Sequence, residues 1–301
     1  MRTAAIHGLV RKDKIMFKPL YAGGKKRAIT FSFDDGFSQD VRLIGLLNKY
    51  GLKATFNLNG HHCNNGCFLI SEGGVNYWDG SNYMKACFNG HEVASHTLTH
   101  PHLLNLTAEE HTRQITEDVK ILSKAIGYKT EGFAPPYGIY NAHTVESAKQ
   151  CGIKYIRDLS EDDTFALPDD FYKWKVSGHI TKFLGPDGKA KLTEFLNTAT
   201  ELPCLNMWGH SYEFTNIDCY NKANWHEIRD RFTAAENEIF KKISGIDDVW
   251  YATNIEICKY ITDLRQAVVT NNGIENPTSS TLFFEHSGRV IKVAPHSKYG
   301  A

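Results

Sequence analysis

The feature of this chain that most restricts its fold is the alternation of strand-like and helix-like segments from Lys25 onward. The segment RAITFSF has the pattern of a buried strand, and the segment after it, SQDVRLIGLLNKYG, carries apolar residues at helical spacing. The clearest helix follows Thr107, an N-cap with Glu110 three residues later, and ends at Gly127. Strict alternation predicts parallel strands joined by crossover helices. The predicted fold class is therefore α/β, and about seven such units predict a distorted (β/α)7-type barrel.

The pattern divides the chain into three regions. Residues 1–24 are predicted to be an N-terminal extension, because regular patterning starts only after them. Residues 25–264 carry the alternation and form the barrel domain. Residues 265–301 predict a short C-terminal β appendage, in which two strands flank a turn at Ser287 and Gly288.

Charge and composition exclude several classes of function. Lys plus Arg total 34 and Asp plus Glu total 34, so the chain lacks the basic excess of a nucleic-acid or anionic-membrane binder. No apolar run approaches the ~18 residues of a membrane span. The N-terminal segment is a poor secretory signal, and seven scattered cysteines favour free thiols. The sequence therefore predicts a cytoplasmic protein, and a secreted mature form is the alternative.

Two neighbouring acids, Asp34 and Asp35, end the first predicted barrel strand. Adjacent carboxylates repel each other, so the pair indicates a nearby cation that offsets the repulsion. His96 and His100 follow another predicted strand, and this spacing lets both imidazoles reach one metal ion on a helical turn. One carboxylate and two histidines form a three-ligand site with an open position, as in catalytic metal sites. The alternative is two surface histidines on a loop.

The second carboxylate of the pair is then free to act as a general base that takes a proton from water. Gly36 lets the backbone turn sharply, so that both acids can face one site although neighbours in a regular strand point apart. The residues alone leave open which of Asp34 and Asp35 binds the metal.

Four segments resemble motifs of the polysaccharide deacetylase family, the NodB-type domain of carbohydrate esterase family 4. FSFDDG is similar to the first motif, SHTLTH to the second, FAPPYG to the third and MWGHSYEF to the fifth, in order over about residues 26–262. The resemblance implies a metal-dependent hydrolase that removes acetyl groups from a carbohydrate. It implies one divalent metal ion, zinc before cobalt or nickel, held by Asp35, His96 and His100.

The resemblance also implies roles for residues beyond the metal ligands. Asp34 is the implied general base, and His210 is the implied general acid. The backbone N–H of Tyr137 is the implied donor to the oxyanion.

Two positions depart from the family's pattern. Ala134 stands where the third motif usually has an arginine that orients the base, and Lys173 stands where the fourth motif usually has an aspartate that supports the acid. Arg157, at the end of the strand after the third motif, is the predicted replacement and should lie within hydrogen-bonding distance of Asp34. Asp158 or Glu213 is the predicted support for the histidine acid. Arg157 could equally be a surface ion-pair partner.

Three further residues are candidates for contact with the substrate. Trp174 and Trp208 are predicted to form a groove for an acyl methyl group or a sugar face, although buried tryptophan usually belongs to the core. His179 is predicted to line the same pocket, with a solvated loop histidine as the alternative.

The predicted function is hydrolysis of N- or O-acetyl groups on a carbohydrate partner, with no nucleic-acid or membrane partner and an undetermined oligomeric state. One alternative is a hydrolase of another non-peptide C–N bond in a small or cyclic amide, because one fold hosts several chemistries. The other is a carbohydrate-binding protein that keeps the metal without turnover. The presence of both Asp34 and His210 argues against a pure binder.

Overall fold

The computed structural model describes residues 17–37, 39–61, 67–71, 74–77, 80–214 and 231–300. Of 67–71, 74–77 and 80–83 it describes the backbone alone. Most of the predicted N-terminal extension lies outside the described residues. The helices of the described part of the chain are too short or too polar to cross a bilayer.

The strands are, in chain order, β1 (Lys18–Leu20), β2 (Arg27–Asp34), β3 (Thr55–Leu58), β4 (Cys67–Ser71), β5 (Gly74–Tyr77), β6 (Glu92–Ser95), β7 (Gly132–Phe133), β8 (Tyr155–Glu161), β9 (Trp174–Val176), β10 (Gly178–His179), β11 (Cys204–Gly209), β12 (Val249–Tyr251), β13 (Val268–Thr270), β14 (Gly273–Asn276), β15 (Leu282–His286), β16 (Arg289–Val293) and β17 (Ser297–Gly300). The helices are α1 (Asp40–Lys49), α2 (Gly80–Cys87), α3 (Ala108–Ile126), α4 (Ala142–Cys151), α5 (Pro186–Asn197), α6 (Phe232–Ala235, Glu236–Phe240 and Lys241–Ile243) and α7 (Asn254–Leu264).

Parallel strands form the barrel, in the order β10, β11, β2, β3, β6, β7, β8 and β9. Strand β12 pairs with the first residues of β2, and β3 pairs with its last residues. Only Ser177 separates β9 from β10. Its N–H donates to the Asn206 carbonyl at 2.7 Å, and its Oγ accepts from the Asn206 N–H at 3.0 Å. β9 and β10 therefore act as one interrupted strand that joins β8 to β11. The predicted distorted (β/α)7-type barrel is confirmed.

Strand β2 shows how the sequence builds this barrel. Its apolar residues pack outward against the helices in the main core, and they are Ile29, Phe31 and Phe33. Its polar residues are also buried but lie on the other face, inside the barrel, and they are Thr30, Ser32 and Asp34. Because side chains alternate along a strand, this pattern aims the last of the inward residues, Asp34, at the carboxyl end of the barrel.

Glu92 lies inside the barrel with 4% of its surface exposed. Its carboxylate accepts hydrogen bonds from Thr55 Oγ1 (2.7 Å), Tyr155 OH (2.9 Å) and the Ile255 N–H (2.9 Å). Burial raises the pKa of this carboxyl to about 7, although the three donors oppose the shift. The protonated form is therefore stabilised by folding, since the folded pKa lies above the ordinary value of the unfolded chain.

The contribution of Glu92 to stability should be present at low pH and lost as the pH rises through about 7. We expect the ionisation of Glu92 to lower the free energy of unfolding of the wild type by about 2–3 kcal/mol as the pH rises from about 5 to about 8. Urea unfolding of the wild type and of Glu92→Gln at both pH values measures this, because the variant should lack that part of the change. An identical pH dependence in the two proteins would assign the effect to other groups.

Two small antiparallel sheets make up the region after the barrel. One has the order β1, β15, β16 and the other β13, β14, β17. Ser287 and Gly288 join β15 to β16 with φ values of 50° and 75°, as the sequence predicted for this turn. Since β1 pairs with β15, residues 18–20 contribute a strand to the C-terminal appendage.

Candidate active site

The predicted site residues converge at the carboxyl ends of neighbouring barrel strands. Asp34 ends β2, His96 follows β6, and His210 follows β11. Parallel strands place these ends at one face of a barrel, where active sites form. The left-handed turn begins at Asp35 itself, with φ of 77°, and continues at Gly36 with φ of 74°. This turn breaks the strand alternation, so that the carboxylates of both acids approach the same histidines.

Asp35, His96 and His100 form a compact group whose ligand atoms all lie within 4.8 Å of one another. Asp35 Oδ1 is 3.4 Å from Nε2 of each histidine. His96 Nδ1 donates to the Ala134 carbonyl at 2.6 Å, which orients the ring so that Nε2 faces Asp35. His100 has φ of 56°, and its N–H donates to Thr97 Oγ1 at 3.1 Å.

The chemistry of this donor set fits a divalent metal ion. Burial alone would raise the pKa of the Asp35 carboxyl, but the hydrogen bond and charge of His96, with His210 and His100, hold that pKa at about 2. Asp35 is therefore an ionised carboxylate beside two imidazole nitrogens, and its oxygens could serve as ligands. Three protein ligands of this kind match a catalytic metal site with an open position.

Asp34 is almost fully buried and is held by side chains from β3 and from β8, a strand farther round the barrel. Nη2 of Arg157 donates to both of its oxygens, at 2.8 Å to Oδ1 and 2.6 Å to Oδ2. Asn57 Nδ2 donates to Oδ1 at 2.7 Å and to Ser32 Oγ at 2.8 Å. The predicted contact between Arg157 and Asp34 is thus present, and Arg157 is fully buried rather than a surface residue. Its catalytic role stays a prediction.

His210 lies beside Asp35 and is supported by Glu213. Its Nδ1 is 3.0 Å from Glu213 Oε1, and its N–H donates to Glu213 Oε2 at 3.1 Å. His210 Nε2 lies 3.7 Å from Asp35 Oδ2. Of the two predicted supports for the acid, Glu213 makes the contact, whereas Asp158 accepts a hydrogen bond from the Tyr140 hydroxyl at 2.8 Å.

The charges of His210 and Glu213 stabilise each other. Burial opposes ionisation of Glu213, but the hydrogen bonds of His179 and His210 lower the pKa of its carboxyl to about 2. Burial likewise opposes protonation of His210, but Glu213, Asp34 and Asp35 raise the pKa of its imidazole above the ordinary value. Glu213 is therefore a carboxylate that accepts from Nδ1–H, which leaves Nε2 of His210 facing Asp35.

Tyr137 follows β7 in the short 3-10 helix Pro136–Gly138, with φ of 60°. Its ring is half-exposed and stacks on His102, with ring centres 3.9 Å apart and planes 8° apart. The same ring meets His100 edge-on at 4.8 Å. Tyr137 thus borders His100 of the candidate metal-ligand group, and the role of its N–H as an oxyanion donor stays a prediction.

Two of the three predicted substrate residues, Trp208 and His179, lie together in the structure, and Trp174 lies elsewhere. Trp208 is half-buried, and its ring centre lies 4.6 Å from that of His179 and 5.7 Å from that of His210. Trp174 is 2% exposed and packs edge-on against Tyr155 and Phe171 in a hydrophobic cluster. The prediction that Trp174 lines a substrate groove is corrected by this burial. Trp174 begins β9, whereas the site lies where the strands end.

Asn57 is a residue that the sequence analysis missed. It is fully buried in β3 and binds Asp34 directly. The signal for it was the pattern of β3, where Thr55, Asn57 and Asn59 alternate with apolar residues. Polar residues on the inward face of a buried strand need partners inside the barrel, and the carboxylate is the partner here.

The first half of the barrel is similar to known deacetylases. Residues 22–156 match the family model of polysaccharide deacetylases, a range that includes Asp34, Asp35, His96, His100 and Tyr137. A peptidoglycan-N-acetylglucosamine deacetylase from Bacillus cereus is 29% identical over 116 residues, which are 38% of this chain and 37% of that protein. A chitin deacetylase from Pestalotiopsis sp is 35% identical over 139 residues, 44% of this chain and 43% of that protein. The chain spans about two fifths of the length of these curated relatives.

A solved structure supports the fold over a longer range. The crystal structure of a protein from Mycobacterium smegmatis, provisionally described as a polysaccharide deacetylase, has a TM-score of 0.58 at 16% identity. The match covers 84% of this chain and 97% of that chain. At this identity the likeness concerns the fold, and its coverage is larger than the range of residues 22–156 that matches the family model.

Proposed function

Since residues 22–156 belong to the polysaccharide deacetylase family, we propose that this protein is a metal-dependent hydrolase that removes acetyl groups from an N- or O-acetylated carbohydrate. One observation carries the proposal. A buried carboxylate, Asp34, precedes Asp35 of the group Asp35, His96 and His100 and is fixed by Arg157, and Nε2 of His210 lies 3.7 Å from Asp35 Oδ2. A base, a metal and an acid around one point are what hydrolysis of an unreactive acetamide needs.

Asp35, His96 and His100 would hold the metal ion, and zinc is the ion that we propose for this set of one oxygen and two nitrogen ligands. When bound, the ion would polarise the acetyl carbonyl and make a water proton easier to remove. The hydrogen bond from His96 Nδ1 to the Ala134 carbonyl holds the ring with Nε2 toward the proposed metal site.

Asp34 and His210 carry out the two proton transfers. Asp34 takes a proton from the attacking water, and the Arg157 and Asn57 donors keep its carboxylate in one orientation. The N–H of Tyr137 donates to the carbonyl oxygen as negative charge develops there. Nε2 of His210 gives its proton to the leaving amine or alkoxide, while Glu213 holds Nδ1.

Arg157 replaces, in this account, the arginine that the family usually has at the position of Ala134. Arg157→Ala should lower kcat by ~10–100-fold with unchanged metal content, because Asp34 keeps only Asn57 as an orienting partner. Loss of a buried ion-pair partner also costs about 3–5 kcal/mol of folding stability, so Arg157→Lys, which keeps the charge, is measured beside it. Steady-state kinetics, metal analysis and urea unfolding together separate the two effects.

The matched control is Arg113→Ala, which removes an exposed arginine of α3 that pairs with Glu110 and Glu117. Ala134→Arg in the Arg157→Ala background should restore part of kcat. Unchanged kinetics in a folded Arg157→Ala enzyme would show that the base needs no guanidinium.

A substrate panel tests the proposed function itself. The purified protein is incubated with acetylated monosaccharides, chitin oligomers and peptidoglycan fragments, with and without a chelator, and acetate and ammonia are measured. We expect metal-dependent acetate release from at least one sugar. Ammonia without acetate would indicate hydrolysis of another C–N bond, and binding without either product would indicate a binding protein.

A further inference from the structure

A third residue, His179, contacts Glu213, the residue that supports His210. His179 Nε2 lies 3.0 Å from Glu213 Oε1, the same oxygen that lies 3.0 Å from His210 Nδ1. His179 comes from β10 and Glu213 from the 3-10 helix Ser211–Phe214 after β11, so the contact joins two neighbouring strand ends. The three side chains expose only 17–19% of their surface.

The contacts of His179 define which nitrogen carries its proton. The Thr181 N–H, which can only donate, points at His179 Nδ1 at 3.4 Å, and Thr181 Oγ1 lies 2.7 Å from the same nitrogen. Nδ1 is therefore an acceptor, and Nε2 carries the hydrogen that is donated to Glu213. Glu213 Oε1 thus accepts two N–H groups, one from each histidine.

The packing around Glu213 leaves little freedom for another arrangement. A Cβ at Gly209 would lie 2.5 Å from Ile180 Cγ2 and 3.0 Å from Glu213 Oε2, so a glycine is needed for the chain to pass this closely. The Trp208 ring lies edge-on to the His179 ring, with planes 82° apart. His179 is therefore fixed by Thr181, Trp208 and Glu213 together.

We propose that His179 is a positioning residue that acts through Glu213 on the general acid. This inference rests on the proposed function. The relay His179–Glu213–His210 takes the place of the fourth-motif aspartate, whose position is occupied here by Lys173. His179 holds the Glu213 carboxylate so that its Oε1 stays on His210 Nδ1–H and its Oε2 on the His210 N–H. The imidazole is thereby held with Nε2 toward the reacting group.

The relay matters in the step that breaks the C–N bond of an N-acetyl group. Water adds its oxygen to the carbonyl carbon as Asp34 takes the water proton, and the C–N bond then breaks as the His210 Nε2 proton passes to the leaving nitrogen. Acetate and an amine are the products. An amide nitrogen cannot leave without that proton, whereas the phenolate of p-nitrophenyl acetate can.

The experiment compares His179→Ala, His179→Gln and the control His143→Ala, which removes an exposed histidine of α4. For an N-acetylated oligosaccharide, His179→Ala should lower kcat by ~10–100-fold with little change in KM. It should affect p-nitrophenyl acetate far less. His179→Gln should recover most of the activity, because the glutamine Nε2–H can donate to Glu213 from nearly the same place.

A second measurement does not depend on turnover. Nitrogen NMR of the histidine side chains should show His179 as the Nε2–H tautomer, and it should show His210 Nδ1–H losing its well-ordered signal in His179→Ala. This readout remains informative if the wild type releases no acetate from any carbohydrate, a result that would contradict the proposed function alone.

Three outcomes would overturn the relay. A raised KM with unchanged kcat in His179→Ala would make His179 a substrate-binding residue, as the sequence first suggested. Equal losses on the amide and on the aryl ester would indicate general damage to the site. A second equivalent of metal that disappears in His179→Ala would show that His179, His210 and Glu213 are metal ligands, which their spacing also permits.

Discussion

His96→Ala and His100→Ala should each yield a folded protein that retains little divalent metal and releases no measurable acetate. Each substitution removes one of three ligands, and a two-ligand site binds far more weakly. The loss should exceed the ~10–100-fold that follows removal of a partner outside the ligand set. The measurement is metal content by elemental analysis after dialysis, with acetate release from the same samples.

The ligand variants need a control for the loss of any histidine. His296→Asn removes an exposed histidine between β16 and β17, at a position with φ of 51° that asparagine tolerates. It should keep the wild-type metal content. Full metal retention in both His96→Ala and His100→Ala would place the metal elsewhere and contradict the ligand assignment.

Asp34→Asn should keep the metal and lose ~10²–10⁴-fold in kcat, because an amide oxygen cannot take the proton of the attacking water. KM should change little, since Asp34 is assigned to proton transfer rather than to substrate binding. Metal analysis, kcat and KM on one acetylated oligosaccharide are the required measurements. A near-normal kcat would rule out Asp34 as the base.

The folding of Asp34→Asn has to be measured as well. Both oxygens of Asp34 accept from Arg157, so the asparagine must turn its NH₂ group toward a guanidinium or lose one contact. We therefore expect a lower urea midpoint together with the lost activity. Asp34→Ala, which removes the conflicting amide, should be equally inactive, so inactivity in both variants is not due to the misplaced NH₂ group.

Much of the barrel could be predicted because its signals are local. Strand alternation in β2 and the capping residue Thr107 act within a few residues, and the structure places Thr107 Oγ1 as an acceptor from the Glu110 N–H. The metal-ligand group was predictable for a similar reason. Strand ends meet at one face of a parallel barrel, so one of the two acids could be placed beside His96 and His100 without knowing the loops, and the family resemblance then pointed to Asp35.

Contacts between distant segments could not be predicted in the same way. The pairing of β1 with β15 joins residues from the two ends of the described chain, and nothing in residues 18–20 announces it. Trp174 was misassigned because a tryptophan near a motif looks the same in sequence whether it begins or ends a strand. The bridge from His179 to Glu213 depends on how β10 lies beside β11, which is a property of the assembled barrel.

The most direct test of the central claim is acetate release from an N-acetylated oligosaccharide by one protein preparation in three states. These are the metal-stripped wild type, the same protein after addition of zinc, and zinc-loaded Asp34→Asn. The account predicts acetate, matched by an equal amount of free amine, only from the zinc-loaded wild type. Equal acetate release from the stripped protein or from zinc-loaded Asp34→Asn would contradict it.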